Sequence, residues 1–168
     1  MIGNDVIDLE LAAVQSDWRR KGFLEKLFSK SEIHLIKTSQ NADVSVWDLW
    51  SRKEAAYKIF NRQTGIRAFN PQHFVCENLE SESTVRYENA AIFSRTEIQN
   101  DSIHTIAVSD KCYFSRILSV EKTAIQKIDG LPFFMSGEKK IPATVSNHGR
   151  FEFCLALIGD RLNFDFPG

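Results

Sequence analysis

The stretch LWSRKEAAYKIF, residues 49–60, constrains the fold more than any other part of the chain. Ala55, Ala56 and Lys58 favour helix, and neither Gly nor Pro interrupts residues 45–60, so the pattern predicts one long helix there. At about 100° per residue, Glu54 falls between Trp47 and Trp50 and close to Lys58. Tyr57 shares that side, while Leu49, Ala56 and Phe60 cover another. Both flanks are therefore apolar. A Glu and a Lys four residues apart ordinarily form a surface pair contributing about 0.2–0.5 kcal/mol. A carboxylate among tryptophans is a different matter, because its desolvation must be offset by a partner or a metal ion.

Around this helix the chain divides into an earlier helical and a later strand-rich part. Residues 2–9, IGNDVIDL, read as a strand or its end. Residues 10–38 read as helical, and Phe23, Leu24, Leu27 and Phe28 share one face. Ser29 to Glu32 has the form of a capping box. Gly65 stands near the end of the long helix. HFVCEN, STVRYENAAIFSR, IHTIAVSD and CYFSRILSVEK are rich in branched and aromatic residues and read as strands. Residues 121–140 are more polar, with a turn signal at GLPFF, and ATVSNHGRFEFCLALI reads as a final hairpin. Helices early and strands late predict an α+β fold with an antiparallel sheet packed against a long helix. Residues 1–120 form the expected core, with 121–168 an extension carrying extra strands within the same single domain.

The 168 residues, 43% hydrophobic and 26% charged, suffice for one globular domain with a substantial core. The net charge of −1 supplies no global field for nucleic acid or an anionic membrane, so an acidic partner would need a local basic patch. Cys76, Cys112 and Cys154 are far apart and read as reduced thiols. His34, His73, His104 and His148 lack metal-ligand spacing, which argues against zinc. Acidic residues stand where a signal peptide needs an apolar run, and no segment approaches a membrane span, so a cytoplasmic protein is expected.

Asp5 and Asp8 are the second unusual feature, since aspartates interrupt an apolar run. Each is open to a plain reading as a strand-end or capping residue. If Asp5 instead converges with Glu54, the two make a hard, oxygen-only site. Mg²⁺ suits such a pair, with waters and substrate phosphates completing its shell. Lys58 could then hold a phosphate oxygen as a point charge.

Four segments, in order, resemble the 4′-phosphopantetheinyl transferase superfamily. GNDVIDL (3–9) resembles its Gly-x-Asp-Ile-x-x-Ile element and WSRKEAAYK (50–58) its Trp-x-x-Lys-Glu-x-x-x-Lys element. FLEKLFSKSE (23–32) resembles the stretch between them. TGIRAFNPQHFV (64–75) resembles the segment after the second motif in holo-acyl-carrier-protein synthases. The resemblance implies transfer of the phosphopantetheine arm of coenzyme A to a serine of an apo acyl or peptidyl carrier protein, Mg²⁺-dependent, with release of 3′,5′-ADP. It implies that Asp5 and Glu54 bind the metal and Lys58 the transferred phosphate. Lys53 belongs to the motif as a cofactor-binding candidate. Ile7 stands where the surfactin-type branch carries another acid, which points to the synthase type. The serine's proton would pass to Glu54 or to a metal-bound water.

The resemblance is uneven further on. In residues 102–118, His104 fits the first position of the synthases' His-x-Ser-x-Ser-His strand, but Ile106, Val108 and Ser109 replace the rest. The tail, GLPFFMSGEKKIPATVSNHGRFEFCLAL, resembles a nucleotide-side segment of surfactin-type transferases. It makes Ser146, Asn147, His148 and Arg150 cofactor-binding candidates, although SNHG also reads as a plain turn. The expectation is a tail strand contributing to a nucleotide site in its own or a neighbouring subunit of a homo-oligomer such as a trimer. Arg19, Arg20, Lys21, Lys26 and Lys30 form a basic cluster, read as a solvated face or a dock for an acidic carrier protein. The departures at Ile106, Val108 and Asn147 keep a second reading open: a non-catalytic relative that binds coenzyme A or a carrier protein.

Overall fold

The computed structural model describes residues 1–77 and 81–159. The sequence readings that reach Asn78 and residues 160–168 extend beyond the described residues. Strand β1 (Ile2–Asp8) leads into α1 (Leu9–Gln15), α2 (Phe23–Leu27), α3 (Lys30–Thr38) and α4 (Ala42–Thr64). The early helical region is thus three short helices. Gly22, in the left-handed region at φ 82°, stands at the start of α2. Ser29 and Glu32 form the full reciprocal capping box of α3. Asn41 caps the start of α4, and Gly65, at φ 73°, ends it. No described helix is long and apolar enough to cross a membrane.

Strands β2 (Val75–Glu77), β3 (Glu82–Tyr87), β4 (Ala90–Ile98) and β5 (Ser102–Val108) join β1 in an antiparallel sheet of order β1-β5-β4-β3-β2. Helix α4 lies on one face of it. Leu49, Ala55, Ala56 and Ile59 of the helix meet Val85, Ile92, Ile103 and Ala107 of the strands in one apolar cluster. Gly3 admits the helix closely, since a Cβ there would lie 2.1 Å from the carbonyl oxygen of Ala55.

The second sheet contains β6 (Ile117–Ser119), β7 (Ile125–Ile128), β8 (Leu131–Ser136), β9 (Lys139–His148) and β10 (Phe151–Leu157), in the order β6-β10-β9-β8-β7. Within CYFSRILSVEK only β6 is strand. Lys111–Arg116 is 3-10 helix, started by the Asp110 side chain accepting from the Cys112 N–H. The polar stretch 121–140 contains the β7–β8 hairpin, turned at Asp129 and Gly130, both at positive φ. β9 and β10 form the expected final hairpin. The architecture is α+β, antiparallel throughout, with the long helix on the first sheet.

Candidate active site at the junction of the two sheets

β1 is buried along its whole length because it belongs to both halves of the molecule. One edge is paired to β5. On the other edge, the N–H groups of Asn4, Val6 and Asp8 donate to side chains of β9 instead of to its backbone. Thr144 Oγ1 receives the first at 3.1 Å, Ser146 Oγ the second at 3.0 Å and His148 Nδ1 the third at 2.9 Å. Alternate residues of β9 thus replace the missing backbone ladder, as the two-residue period of a strand allows. Because His148 Nδ1 accepts, the neutral ring carries its proton on Nε2, which faces Gln15 Oε1 at 3.2 Å.

Asp5 sits in the middle of this seam. Its Oδ1 accepts from Ser146 Oγ at 3.1 Å and lies 3.7 Å from Lys58 Nζ. Its Oδ2 is buried without a hydrogen-bond partner. Burial raises the Asp5 carboxyl above its ordinary pKa, against the opposing pull of Lys58. Glu54, on α4, is pushed up to about 7, first by burial and then by the charge of Asp5, with Lys58 again opposing. The two acids are close enough to feel each other, and the protein leaves one Asp5 oxygen unsatisfied. Lys58 Nζ is held by the carbonyls of Asn4 at 2.5 Å and Val145 at 3.3 Å.

Asp5 and Glu54 line a cleft of about 390 Å³ with Trp47, Trp50, Phe23 and Leu27 on its apolar side and Asn147 and His148 at its β9 side. The donor set fits a hard divalent cation with two protein carboxylates, the rest of its shell coming from water or phosphate oxygens. Among the described residues no group of three or more His, Cys, Asp or Glu side chains gathers to hold a metal by itself.

The other expected site residues fall in different places. Lys53 does not line this cleft. One residue before Glu54, it points into the core, where its ammonium is 2.8 Å from Glu32 and donates to the Pro71 carbonyl at 2.9 Å. Both side chains of that ion pair are fully buried. Ser146 touches Asp5 directly. Arg150 is drawn to Asp8: its Nε and Nη2 reach the two carboxylate oxygens at 2.9 Å each. Glu10 at 3.2 Å and Asp101 at 3.6 Å surround the same guanidinium. Arg150 holds the Asp8 carboxyl far below its usual pKa, while Asp8 also caps α1. His104 lies on β5, stacked on Phe153 at 3.9 Å between centroids, with Nε2 buried and unpartnered. Burial pushes its pKa down to about 4. It is absent from the lining of the Asp5–Glu54 cleft.

Of the basic cluster, Arg19, Arg20 and Lys21 line a depression near Trp18 and Ile36, together with Lys37 and Glu25, whereas Lys26 and Lys30 are not in its lining. Arg19 makes two hydrogen bonds to Asp43, at 2.9 and 2.8 Å, and lies over the Trp18 ring, while Arg20 lies over Phe23. Sequence reasoning overlooked Thr144 and Gln15, partners in the β1–β9 seam. The alternation Thr144, Ser146, His148 was the available signal, but only the fold reveals which strand edge it covers.

Residues 1–109 match the family model of the 4′-phosphopantetheinyl transferase superfamily. None of the curated proteins matches the chain. Among solved structures, the fold is similar to an apo-ACPS structure from Chronobacterium ammoiniagenes, at 15% identity and TM-score 0.51, covering 64% of this chain and 93% of that one. It is also similar to the holo-acyl-carrier-protein synthase of Neisseria meningitidis, at 13% identity and TM-score 0.50, covering 66% and 97%. The corresponding synthase of Thermotoga maritima gives 14% identity and TM-score 0.50, covering 80% and 82%. The matched span holds β1 and α4, the elements that carry Asp5, Glu54 and Lys58, and the chain belongs to the 4′-phosphopantetheinyl transferase superfamily.

Proposed function

We propose that the chain transfers the 4′-phosphopantetheine arm of coenzyme A to a serine of an apo acyl or peptidyl carrier protein and uses Mg²⁺ to do so. One observation carries the reading. A buried carboxylate with an unsatisfied oxygen, Asp5, lines one cleft with a second carboxylate raised to about 7, Glu54, and Lys58 stands 3.7 Å from Asp5. Asp5 and Glu54 would hold the ion, which supplies positive charge to a pyrophosphate when bound. Lys58, fixed by two carbonyls, presents a further positive charge to the phosphoryl oxygens.

In the reaction, the serine Oγ forms a bond to the β-phosphorus of coenzyme A. The bond from that phosphorus to the bridging oxygen breaks, and the oxygen departs on 3′,5′-ADP. The serine loses its proton, which would pass to Glu54 or to a water in the same cleft. The apolar walls around Trp47 and Trp50 limit water at the reacting centre. The depression at Arg19 and Arg20 is the candidate dock for an acidic carrier, and its contribution would be salt-sensitive.

The test is intact-mass analysis of a panel of apo acyl and peptidyl carrier proteins incubated with the protein, coenzyme A and Mg²⁺. A gain of one phosphopantetheine arm is expected, and Glu54→Ala should slow it by about a thousandfold or more, equivalent to roughly 4 kcal/mol of barrier. Coenzyme A binding without transfer to any carrier, and without dependence on Mg²⁺, would reject the transferase in favour of a non-catalytic binder.

A further inference from the structure

A second cleft, of about 260 Å³, opens on the other side of Lys58. Helix α4 supplies Tyr57, Lys58 and Arg62 to it, and the β7–β8 hairpin supplies Lys127. Among the described residues no carboxylate lines it. Arg62 is occupied, donating to the carbonyls of Pro132 and Ala143 at 2.7 Å each, and so holds the hairpin side to the helix. Lys127 is exposed and takes part in none of the ion pairs among the described residues. Arg67 stands at the rim, with Nη2 3.3 Å from the point a Cβ on Gly130 would occupy.

The two clefts meet. Asn147 lines both, and Lys58 lines the second while lying 3.7 Å from Asp5 in the first. A donor with a pyrophosphate at its centre can place that group at the junction and extend one end into each side. The first cleft commits its two carboxylates to the ion that would meet the pyrophosphate, and its remaining walls are largely apolar, with Trp47, Trp50, Phe23 and Leu27. The second offers Lys127, an exposed cation outside every ion pair among the described residues. Arg150 cannot serve that end, because three carboxylates already surround it. We infer that the β7–β8 hairpin is the nucleotide-recognising wall, with Lys127 selecting donors that carry a phosphate on the ribose 3′ position and Arg67 assisting from the rim. This rests on the transferase reading. Lys127 lies beyond the residues matched to the superfamily, so this chain's own appended sheet would set its donor specificity.

The experiment compares wild type with Lys127→Met and Arg67→Met. Calorimetry with 3′,5′-ADP and with 5′-ADP in Mg²⁺ measures binding directly. Transfer kinetics with coenzyme A and 3′-dephospho-coenzyme A measure the consequence. Lys127→Met is expected to weaken 3′,5′-ADP about five- to tenfold and to raise the KM for coenzyme A similarly. Affinity for 5′-ADP, the KM for the dephospho donor and kcat should stay within about twofold. Arg67→Met should show the same selectivity to a smaller degree. Equal losses for both nucleotides, or transfer and binding that neither variant changes, would overturn this assignment and leave the transferase standing. Failure of the wild type both to transfer and to bind either nucleotide would overturn both.

Discussion

The two sheets are held in different ways. The first buries Val85, Ile92, Ile103 and Ala107 under α4, in a cluster extended by Phe28, Ile36 and Phe74. In the second, the buried members of the apolar cluster among the described residues are Ile141, Ala143 and Ala156, with Val120, Ile125 and Phe134 packed around them. Its attachment is chiefly polar: Thr144, Ser146 and His148 on the β1 edge, Asn4 Nδ2 on the Phe153 carbonyl, Arg62 on two carbonyls and Arg150 on Asp8. Apolar area sets how firmly an element is held, whereas directional hydrogen bonds set which atoms face each other. The site lies where these two modes meet. Asp5 takes its position from the cored half and the orientation of its carboxylate from the seam.

The largest effect should come from the cored half. Lys53→Ala would leave the Glu32 carboxylate buried without its cation, and about 3–5 kcal/mol of stability should be lost. Urea unfolding checks this, and a loss under about 1 kcal/mol would mean that the pair contributes little to holding that half.

The next effect concerns acidity at the junction. Glu54 takes up its proton more readily folded, at about 7, than at its ordinary 4.5. Below pH 4.5 it is protonated in both states and adds no penalty. Between 4.5 and about 7 the unfolded chain ionises first, so metal-free stability falls as pH rises. Above about 7 the penalty is constant, at roughly 3 kcal/mol. Glu54→Gln should remove that part of the slope and raise metal-free stability at pH 8. Denaturation in chelator across this range measures it, and parallel pH profiles for the two proteins would contradict the burial argument. Added Mg²⁺ should stabilise wild type at pH 8 far more than Glu54→Gln.

The smallest effect lies in the seam. Ser146→Ala strips the acceptor from the Val6 N–H and the donor from Asp5, at about 1–3 kcal/mol. It should also raise the Mg²⁺ concentration needed for half-maximal transfer while leaving 3′,5′-ADP affinity nearly unchanged. A loss of stability with no change in Mg²⁺ dependence would show that the seam is structural only and that Asp5 is oriented by other groups.

Legibility from sequence follows the same division. Glu54 and Lys58 were readable because helical periodicity alone fixes their face, and the burial of α4 followed from its two apolar flanks. Gly65 and the Ser29–Glu32 box were local signals and appear where expected. Lys53 escaped because its direction depends on Glu32, 21 residues away, whose carboxylate both closes the capping box and meets the lysine. Arg150 escaped for a similar reason: Asp8, Glu10 and Asp101 converge on it only after folding. The seam joins residues 140 apart in sequence and uses side chains in place of a backbone ladder, so no periodicity announces which edge β9 covers. The β7–β8 hairpin was obscured by polar, outward residues such as Gln126 and Lys127, which lower the apparent strand signal.

Gly3 has a bearing on the chemistry although it touches no carboxylate. Any side chain there would meet the Ala55 carbonyl oxygen at 2.1 Å and the Lys58 Cβ at 3.2 Å, so β1 would have to ride up from α4. Asp5 and Glu54 sit on those two elements, close to that point of contact. The missing side chain therefore works as a calliper stop. It sets how closely the strand that carries Asp5 lies against the helix that carries Glu54.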